Sequence, residues 1–265
     1  MSVNDQKHLV RDPKAAAEQV VHEYFPNCRA AFLSSGVLSS RRTPTSDLDI
    51  VIVLDGAPAP YRETRRALGW VVELFVHSRE SLEYFYELDA RERRCTLARM
   101  CTGHVIKDIE GVAEEIQRRA NAVISAGPAE LTLEEREQRR YFLTDLLDDL
   151  RGTSDPVETV FIASHLLQTA GTLVLQSGRH WTGSGKWLAR QLEEVDGEYG
   201  PRLVEGLRTL VATGRKDPLI AVVTEILDLA GGPLTEGYGA RVSLAGVDSK
   251  DGVNAADRSN NGPPL

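Results

Sequence analysis

Cysteine is scarce in this chain of 265 residues, and no long apolar run occurs in it. The three cysteines, Cys28, Cys95 and Cys101, form no CxxC pair and leave an odd thiol, a pattern typical of a reducing compartment. Nowhere do eighteen apolar residues follow one another, and charges interrupt the N-terminal stretch where a signal peptide needs an apolar core. We therefore expect a cytoplasmic protein that neither enters nor crosses a membrane.

The sequence also lacks an excess of positive charge and the spacings of several common catalytic sites. Lys and Arg total 31 against 39 Asp and Glu, and the resulting net charge of −8 disfavours a nucleic-acid partner and favours a cationic or neutral small substrate. The histidines show no HxH or HxxxH spacing for zinc, and no GxSxG motif occurs. The Gly-rich turn at residues 180 to 192 is not a P-loop, because Trp187 stands where Ser or Thr must bind Mg²⁺.

The distribution of apolar residues predicts an α+β protein of two domains. Residues 1 to 127 alternate helical and β-branched strand patterns, which indicates a small mixed β-sheet domain. Residues 128 to 242 show only helical periods separated by Gly and Pro, which indicates an all-α helical bundle. Residues 243 to 265 contain too few large apolar side chains to offset the entropy of ordering, and we predict a disordered tail there.

The elements of the first domain can be placed from the same patterns. The spacing predicts a helix over residues 13 to 25, and Ser78 is a plausible N-cap for a helix from about residue 80 to 100. Strands are predicted where apolar and β-branched residues run together, with an edge strand last; they cover residues 28 to 35, 48 to 54, 69 to 78 and 103 to 109.

Three carboxylates occupy positions within these apolar runs. Asp47 and Asp49 share one face at the head of the second strand, with Cα atoms roughly 6.6 Å apart. Glu73 interrupts the third strand, where an ionised carboxylate needs a cationic partner. Taken alone, Asp47 could mark the turn that enters the strand, and Glu73 could form an ion pair with an arginine. The three together are the hard oxygen ligands that Mg²⁺ takes in phosphoryl-transfer sites, so a magnesium site is the sharper hypothesis.

The motif around these acids resembles that of the nucleotidyltransferase superfamily that includes DNA polymerase β. That motif is an apolar strand, Gly-Ser, a gap of about ten residues and Asp-hydrophobic-Asp, and AFLSSGVLSSRRTPTSDLDIVIVL matches its frame. Glu73, within VVELFV, supplies a third acid, and the second half of the chain is helical. With these features the chain is most similar to bacterial aminoglycoside-type nucleotidyltransferases. The resemblance covers the first domain through specific motifs and the second domain only loosely.

This resemblance implies a function and a metal. Asp47 and Asp49 would bind Mg²⁺, and Glu73 would be a third ligand or the base. The enzyme would move a nucleoside monophosphate from an NTP, with ATP the first choice, to a hydroxyl of a small acceptor and release pyrophosphate; an aminoglycoside-like acceptor would be cationic. The cleft between the domains would be the site.

The resemblance also implies residues that bind the nucleotide: Ser35, Gly36, Ser46, Arg41 and Lys186. Here the family's Gly-Ser is reversed as Ser35-Gly36, so Ser34, Ser35 or backbone N–H groups around Gly36 would have to meet the triphosphate. Arg41 lies on the loop before Asp47. Lys186 matches the lysine that such enzymes carry on the helical domain.

The sequence leaves alternatives open. One helix face carries three aspartates, Asp145, Asp148 and Asp149. This face is either a solvated acidic surface or a binding surface for a cationic acceptor. The whole protein is either a transferase for a small acceptor, a non-catalytic nucleotide-binding regulatory or antitoxin-like module, or a nucleotidyltransferase that modifies RNA or protein.

Overall fold

The computed structural model describes residues 12–195 and 197–239, and the predicted tail at 243–265 lies outside them. The chain divides into two compact units, one ending at Ala126 and the other beginning at Gly127. The first unit contains a β-sheet with helices, and the described part of the second is helical, so the predicted α+β class is confirmed.

A five-stranded mixed sheet organises the first unit. Its strand order is β3-β4-β2-β1-β5, in which β2 and β4 are parallel and the other neighbours are antiparallel. The elements are α1 (Pro13–Tyr24), β1 (Ala30–Leu33), a short 3₁₀ helix (Ser35–Leu38), β2 (Leu48–Val53), β3 (Tyr61–Ala67), β4 (Trp70–His77), α2 (Arg79–Arg91), α3 (Thr96–Cys101), β5 (His104–Asp108) and α4 (Val112–Ala126).

The two faces of this sheet differ because side chains alternate along each strand. Ile50 and Ile52 of β2 and Leu74 of β4 are fully buried in a core that includes the alanine and valine stripe of α1. Val51 and Phe75 lie on the opposite face and are buried as well. The register that buries Ile50, Ile52 and Leu74 on the α1 side therefore also determines that the residues between them project from the opposite face.

Several predicted elements are confirmed, and one of their caps, Ser78, is the predicted one. Asp12 caps α1 by accepting hydrogen bonds from the backbone N–H groups of Lys14 and Ala15. Ser78 caps α2, because its Oγ accepts from the N–H of Ser81 at 3.2 Å. The last predicted strand is β5, and it lies at the edge of the sheet beside β1.

The single helix predicted from about residue 80 to 100 is wrong, because two helices occupy this region. The chain turns at Arg93, which has a φ of 56°, and α3 then begins at Thr96. The carboxylate of Asp89 accepts a hydrogen bond from the N–H of Leu97 at 3.0 Å, so a buried acid from α2 caps the next helix.

The sequence patterns also missed two elements, β3 and α4. Most β3 side chains are charged or polar and none is fully buried, so the strand has no apolar alternation. It joins β4 through a two-residue turn at Leu68 and Gly69, with φ values of 55° and 84°. This geometry matches the right-handed twist of a hairpin, and Asn-Gly rather than Leu-Gly is its usual sequence.

The second unit packs its helices around a separate core of leucine, valine and isoleucine. Leu143, Leu147 and Leu150 of the first helix in this unit are buried in this core. None of the helices in the described ranges is long and apolar enough to span a membrane. The helices are α5 (Leu133–Gly152), α6 (Pro156–Ser177), α7 (Lys186–Val195), α8 (Tyr199–Thr213) and α9 (Asp217–Leu229).

Candidate metal centre

Three carboxylates converge on the face of the sheet opposite α1. Asp49 of β2 and Glu73 of β4 are direct partners in the parallel ladder, and Asp47 precedes β2 by one residue. One oxygen from each of the three side chains lies within 4.8 Å of the other two. All three residues are half-buried. Acids separated by 24 residues in sequence are thus brought together by strand register alone.

Hydrophobic patterning enforces this convergence. Leu48 and Ile50 flank Asp49 and are fully buried on the α1 side, so the intervening carboxylate must project from the other face. A slip of one residue would place Asp49 in the apolar core, at the cost of desolvating a charge. The N–H of Ser34 donates to the carbonyl of Asp49 at 2.9 Å, which fixes the end of β1 beside the same strand.

Glu73 has a guanidinium partner from the neighbouring strand. Arg62 of β3 donates from Nη2 to Oε2 of Glu73 at 2.6 Å, and its Cζ lies 4.8 Å from the ring centroid of Phe75. The side chains of Arg62 and Glu73 are 28% and 22% exposed. Both possibilities raised by the sequence therefore hold at once: the acids converge, and an arginine pairs with one of them. A carboxylate has two oxygens, so this bond leaves Glu73 with further acceptor capacity.

The carboxylate set fits a divalent cation. Mg²⁺ takes oxygen ligands at about 2.0–2.1 Å, which puts ligands on opposite sides of one ion about 4.2 Å apart. The three oxygens, within 4.8 Å of one another, need only small side-chain rotations to reach that spacing. The ligand chemistry is that of a hard cation, and it does not distinguish Mg²⁺ from Mn²⁺.

The residues predicted to bind the nucleotide lie on the loop between β1 and β2, except Lys186. Ser35 and Gly36 begin the short 3₁₀ helix that follows β1. Ser46 accepts a hydrogen bond from the N–H of Thr43 at 2.9 Å, so its hydroxyl stabilises the turn before Asp47. Arg41 is exposed on this loop.

Arg42 takes a different place from Arg41. Its Cζ lies 5.5 Å from the ring centroid of Trp70, which belongs to the core on the α1 side. Arg42 is thus engaged away from the carboxylate face.

Lys186 belongs to the second unit, where it begins α7. It is exposed, and its Nζ lies 5.8 Å from the ring centroid of Trp187. Trp187 is 48% exposed and also carries Arg190 over its ring at 4.8 Å, whereas Trp181 is buried. The two tryptophans of this region therefore differ: Trp181 is packed in the interior and Trp187 is exposed beneath two cationic side chains.

The acidic face of α5 is exposed, and part of it is neutralised within its own helix. Asp148 accepts a hydrogen bond from Nη1 of Arg151 at 3.0 Å. Asp145 and Asp149 are exposed as well. The geometry is that of a solvated helix surface with an i,i+3 ion pair.

His77 lies on the same face as Glu73 but is not part of the carboxylate cluster. It is buried at the end of β4, its Nδ1 is 3.2 Å from the Oγ of Ser81, and its ring packs edge-on against Phe85. Burial lowers the pKa of His77 to about 4, so the imidazole is neutral at physiological pH.

The sequence patterns missed the residues that β3 contributes to this face. Arg62, Thr64 and Arg66 are partners of Phe75, Glu73 and Val71 in the ladder with β4. Their i, i+2, i+4 spacing was a signal, because it is the period of one strand face. It was hidden by a third arginine, Arg65, and a glutamate, Glu63, at the intervening positions.

Comparison with known proteins finds similarity to solved structures but not to known sequences. No protein-family model matches the sequence, and no curated protein matches it. Among solved structures, the chain is similar to a nucleotidyltransferase-like protein from Exiguobacterium sibiricum 255-15, with 15% identity and a TM-score of 0.41. The similarity covers 83% of this chain and 77% of the other. What this site can do is therefore inferred from its own carboxylates and arginines.

Proposed function

We propose that this protein is a metal-dependent nucleotidyltransferase, which moves a nucleoside monophosphate from an NTP to a hydroxyl of a small acceptor and releases pyrophosphate. The observation that supports this most is the convergence of Asp47, Asp49 and Glu73 on one face of the sheet. Three acids held so close repel one another; Arg62 offsets part of that repulsion at Glu73, and a cation held by Asp47 and Asp49 would offset the rest.

The carboxylates have distinct tasks in this proposal. Asp47 and Asp49 bind the divalent cation, and Glu73 is either a third ligand or the base for the acceptor hydroxyl. Bound there, the cation supplies charge neutralisation for the triphosphate and the leaving pyrophosphate. A bond forms between the acceptor oxygen and the α-phosphorus, and the bond from that phosphorus to pyrophosphate breaks. The hydroxyl proton leaves to Glu73 or to solvent.

The nucleotide side of the site is proposed to be the loop between β1 and β2. Ser35, the backbone around Gly36, and Arg41 offer hydroxyl, N–H and guanidinium donors to phosphate oxygens. Ser46 supports the loop through its bond to Thr43. Lys186 is proposed as a further triphosphate ligand, supported by its exposure at the N-terminus of a ten-residue helix.

A second candidate function is a module that binds nucleotide without turnover. Two observations favour it: the ion pair between Arg62 and Glu73, and the reversed order of Ser35 and Gly36. The first keeps the third carboxylate neutralised, and the second removes a hydroxyl from the position where the family motif has one.

The two functions are separated by pyrophosphate release. The protein is incubated with Mg²⁺ and each of the four NTPs in the presence of pooled small hydroxyl compounds, and pyrophosphate is measured. Asp49→Asn should lower the rate at least about a hundredfold, because it removes a charge that only the transition state fully uses. Asp55→Asn is the matched control, since Asp55 follows β2 on the same chain segment and is 79% exposed.

Unchanged turnover in Asp49→Asn would rule out this site. Binding of an NTP with no pyrophosphate release from any pool would support the non-catalytic module.

A further inference from the structure

The outer strand β3 places a row of donors beside the carboxylates. In the ladder with β4, Thr64 is the partner of Glu73, and Arg62 and Arg66 stand two residues away on either side. Paired residues in an antiparallel ladder project from the same face, so all three share the face of the metal centre. The bond from Arg62 to Glu73 and its stacking on Phe75 agree with this assignment.

The three arginines of β3 are in different situations. Arg65 projects from the opposite face, where it pairs with Glu63 and lies 4.3 Å from the ring centroid of Tyr24. Arg62 is bound to Glu73. Arg66 is exposed, and within residues 12–195 and 197–239 its guanidinium makes no hydrogen bond or ion pair. One cation on the site face is therefore available to a ligand.

The spacing of this row suits an anion with several oxygens. Arg62 and Arg66 are four residues apart on a strand, about 13 Å between Cα atoms, and long guanidinium side chains can lean toward each other across that distance. Thr64 between them is small and exposed, so it leaves space above the strand and adds a hydroxyl donor. Two guanidiniums and a hydroxyl match the three terminal oxygens of a phosphomonoester.

The charge on this face depends on the metal. Three carboxylates and two guanidiniums leave the face with net negative charge, and a divalent cation held by the carboxylates makes it net positive. Binding of an anion beside Glu73 is therefore coupled to binding of the cation. The cation offsets the carboxylate charge that repels the anion, and the anion offsets the guanidinium charge that repels the cation.

The strand order separates the two flanks of the centre. The loop proposed for the nucleotide joins β1 to β2, and β3 lies on the other side of β2 and β4. A ligand on β3 is accordingly placed beside Glu73 and away from the loop. In a transferase this is the side on which the second substrate meets the third carboxylate.

We propose that β3 binds the acceptor through a phosphate group held by Arg66, Thr64 and Arg62, so that the acceptor is a phosphorylated hydroxyl compound. This inference rests on the proposed function. It replaces the cationic acceptor expected from the net charge of −8, since the charge beside the third carboxylate is positive.

The test uses pairs of hydroxyl compounds that differ by one phosphate: glycerol and glycerol 3-phosphate, ribose and ribose 5-phosphate, glucose and glucose 6-phosphate. Binding to the full chain with Mg²⁺ and a non-hydrolysable ATP analogue is measured by calorimetry, and pyrophosphate release is measured with ATP. We expect binding of at least one phosphorylated member and not of its partner. Arg66→Gln should weaken that binding about tenfold, the effect of losing one charge-assisted hydrogen bond.

Arg65→Gln is the matched control, because Arg65 is the adjacent arginine of β3 but projects from the other face. It should leave binding of the phosphorylated compound unchanged.

The outcomes separate the two proposals. Transfer to uncharged members with a KM that Arg66→Gln does not change would overturn the anionic acceptor and keep the transferase. Binding of a phosphorylated member that depends on Arg66, without any pyrophosphate release, would keep the phosphate site and overturn the transferase. Failure of all phosphorylated members to bind overturns the inference.

Discussion

Arg62 is a cation in direct contact with one of the three proposed metal ligands. It donates to one oxygen of Glu73 at 2.6 Å and so competes with any cation for that carboxylate. We expect Arg62→Met to lower the Kd for Mg²⁺ about tenfold, because a positive charge within a few ångströms is removed while the flexible side chain still covers Phe75. A calorimetric Mg²⁺ titration measures this without any need for turnover.

Arg65→Met controls for loss of an arginine from the same strand. Like Arg62, Arg65 pairs with a glutamate and stacks on an aromatic ring, but on the other face. If Arg62→Met instead weakens Mg²⁺ binding, then the role of Arg62 is to orient Glu73 rather than to compete for it.

His77 makes a separate contribution, to the dependence of stability on pH. Its pKa is lowered from 6.5 to about 4 by burial, so between these values the unfolded chain binds more protons than the folded one. Stability should be highest above pH 6.5 and fall as pH decreases toward about 4, by roughly 3 kcal/mol in total from this group.

Urea unfolding at about pH 7 and about pH 5 measures this loss. His77→Gln should reduce the difference between the two midpoints, even if it lowers stability at both. His22→Gln, at an exposed position of α1, should leave the difference as it is in the native chain. An unchanged difference in His77→Gln would show that other groups account for the acid sensitivity.

At the scale of elements, the strands with a high apolar content could be predicted from the sequence, and the strand without it could not. The strands β2 and β4 are buried on both faces, so their valine and isoleucine runs were visible, and so were the acids interrupting them. β3 covers the edge with arginines and depends on β4 for its hydrogen bonds, so its sequence has no apolar alternation to indicate a strand. The three carboxylates were therefore visible in the sequence, while their neighbours on β3 were missed.

The break between α2 and α3 escaped prediction for a different reason. Residues 92 to 95 carry no Gly or Pro, and Arg93 instead adopts the left-handed conformation that usually favours glycine. Tertiary contacts hold it there, because Arg93 and the capping Asp89 are both buried. Helical propensity alone therefore predicts one continuous helix across this turn.

At the scale of the whole molecule, the net charge and the charge on the strand beside the site differ in sign. The excess of acid is spread over helix surfaces, as on α5, where Asp148 pairs with Arg151. The seven residues of β3 hold three arginines, and two of them, Arg62 and Arg66, share the face of the third carboxylate. The net charge of a chain therefore describes its solubility and long-range electrostatic field. The register of the strands determines which charged side chains a bound ligand contacts.

The existence of two cores predicts that a metal stabilises one part of the molecule directly. Since the proposed ligands all lie in the first unit, Mg²⁺ at a hundred times its Kd should add about 2.7 kcal/mol to the stability of that unit. Hydrogen exchange measured by mass spectrometry should show slower exchange in Leu48–Val53 and Trp70–His77, and unchanged exchange in α9. Asp49→Asn should abolish the effect, and equal protection of α9 would contradict its localisation.

The two-residue turn at Leu68 and Gly69 has a consequence for how such a site changes over time. Because side chains alternate, one residue inserted there with the two-residue turn retained would exchange the outward and inward sets of β3 and present Tyr61, Glu63 and Arg65 to the candidate metal centre. The proposed phosphate-binding row would then be replaced by an aromatic and acidic one without any substitution in the strand. The length of this hairpin, as much as the side chains of β3, would determine which ligand groups the site accepts.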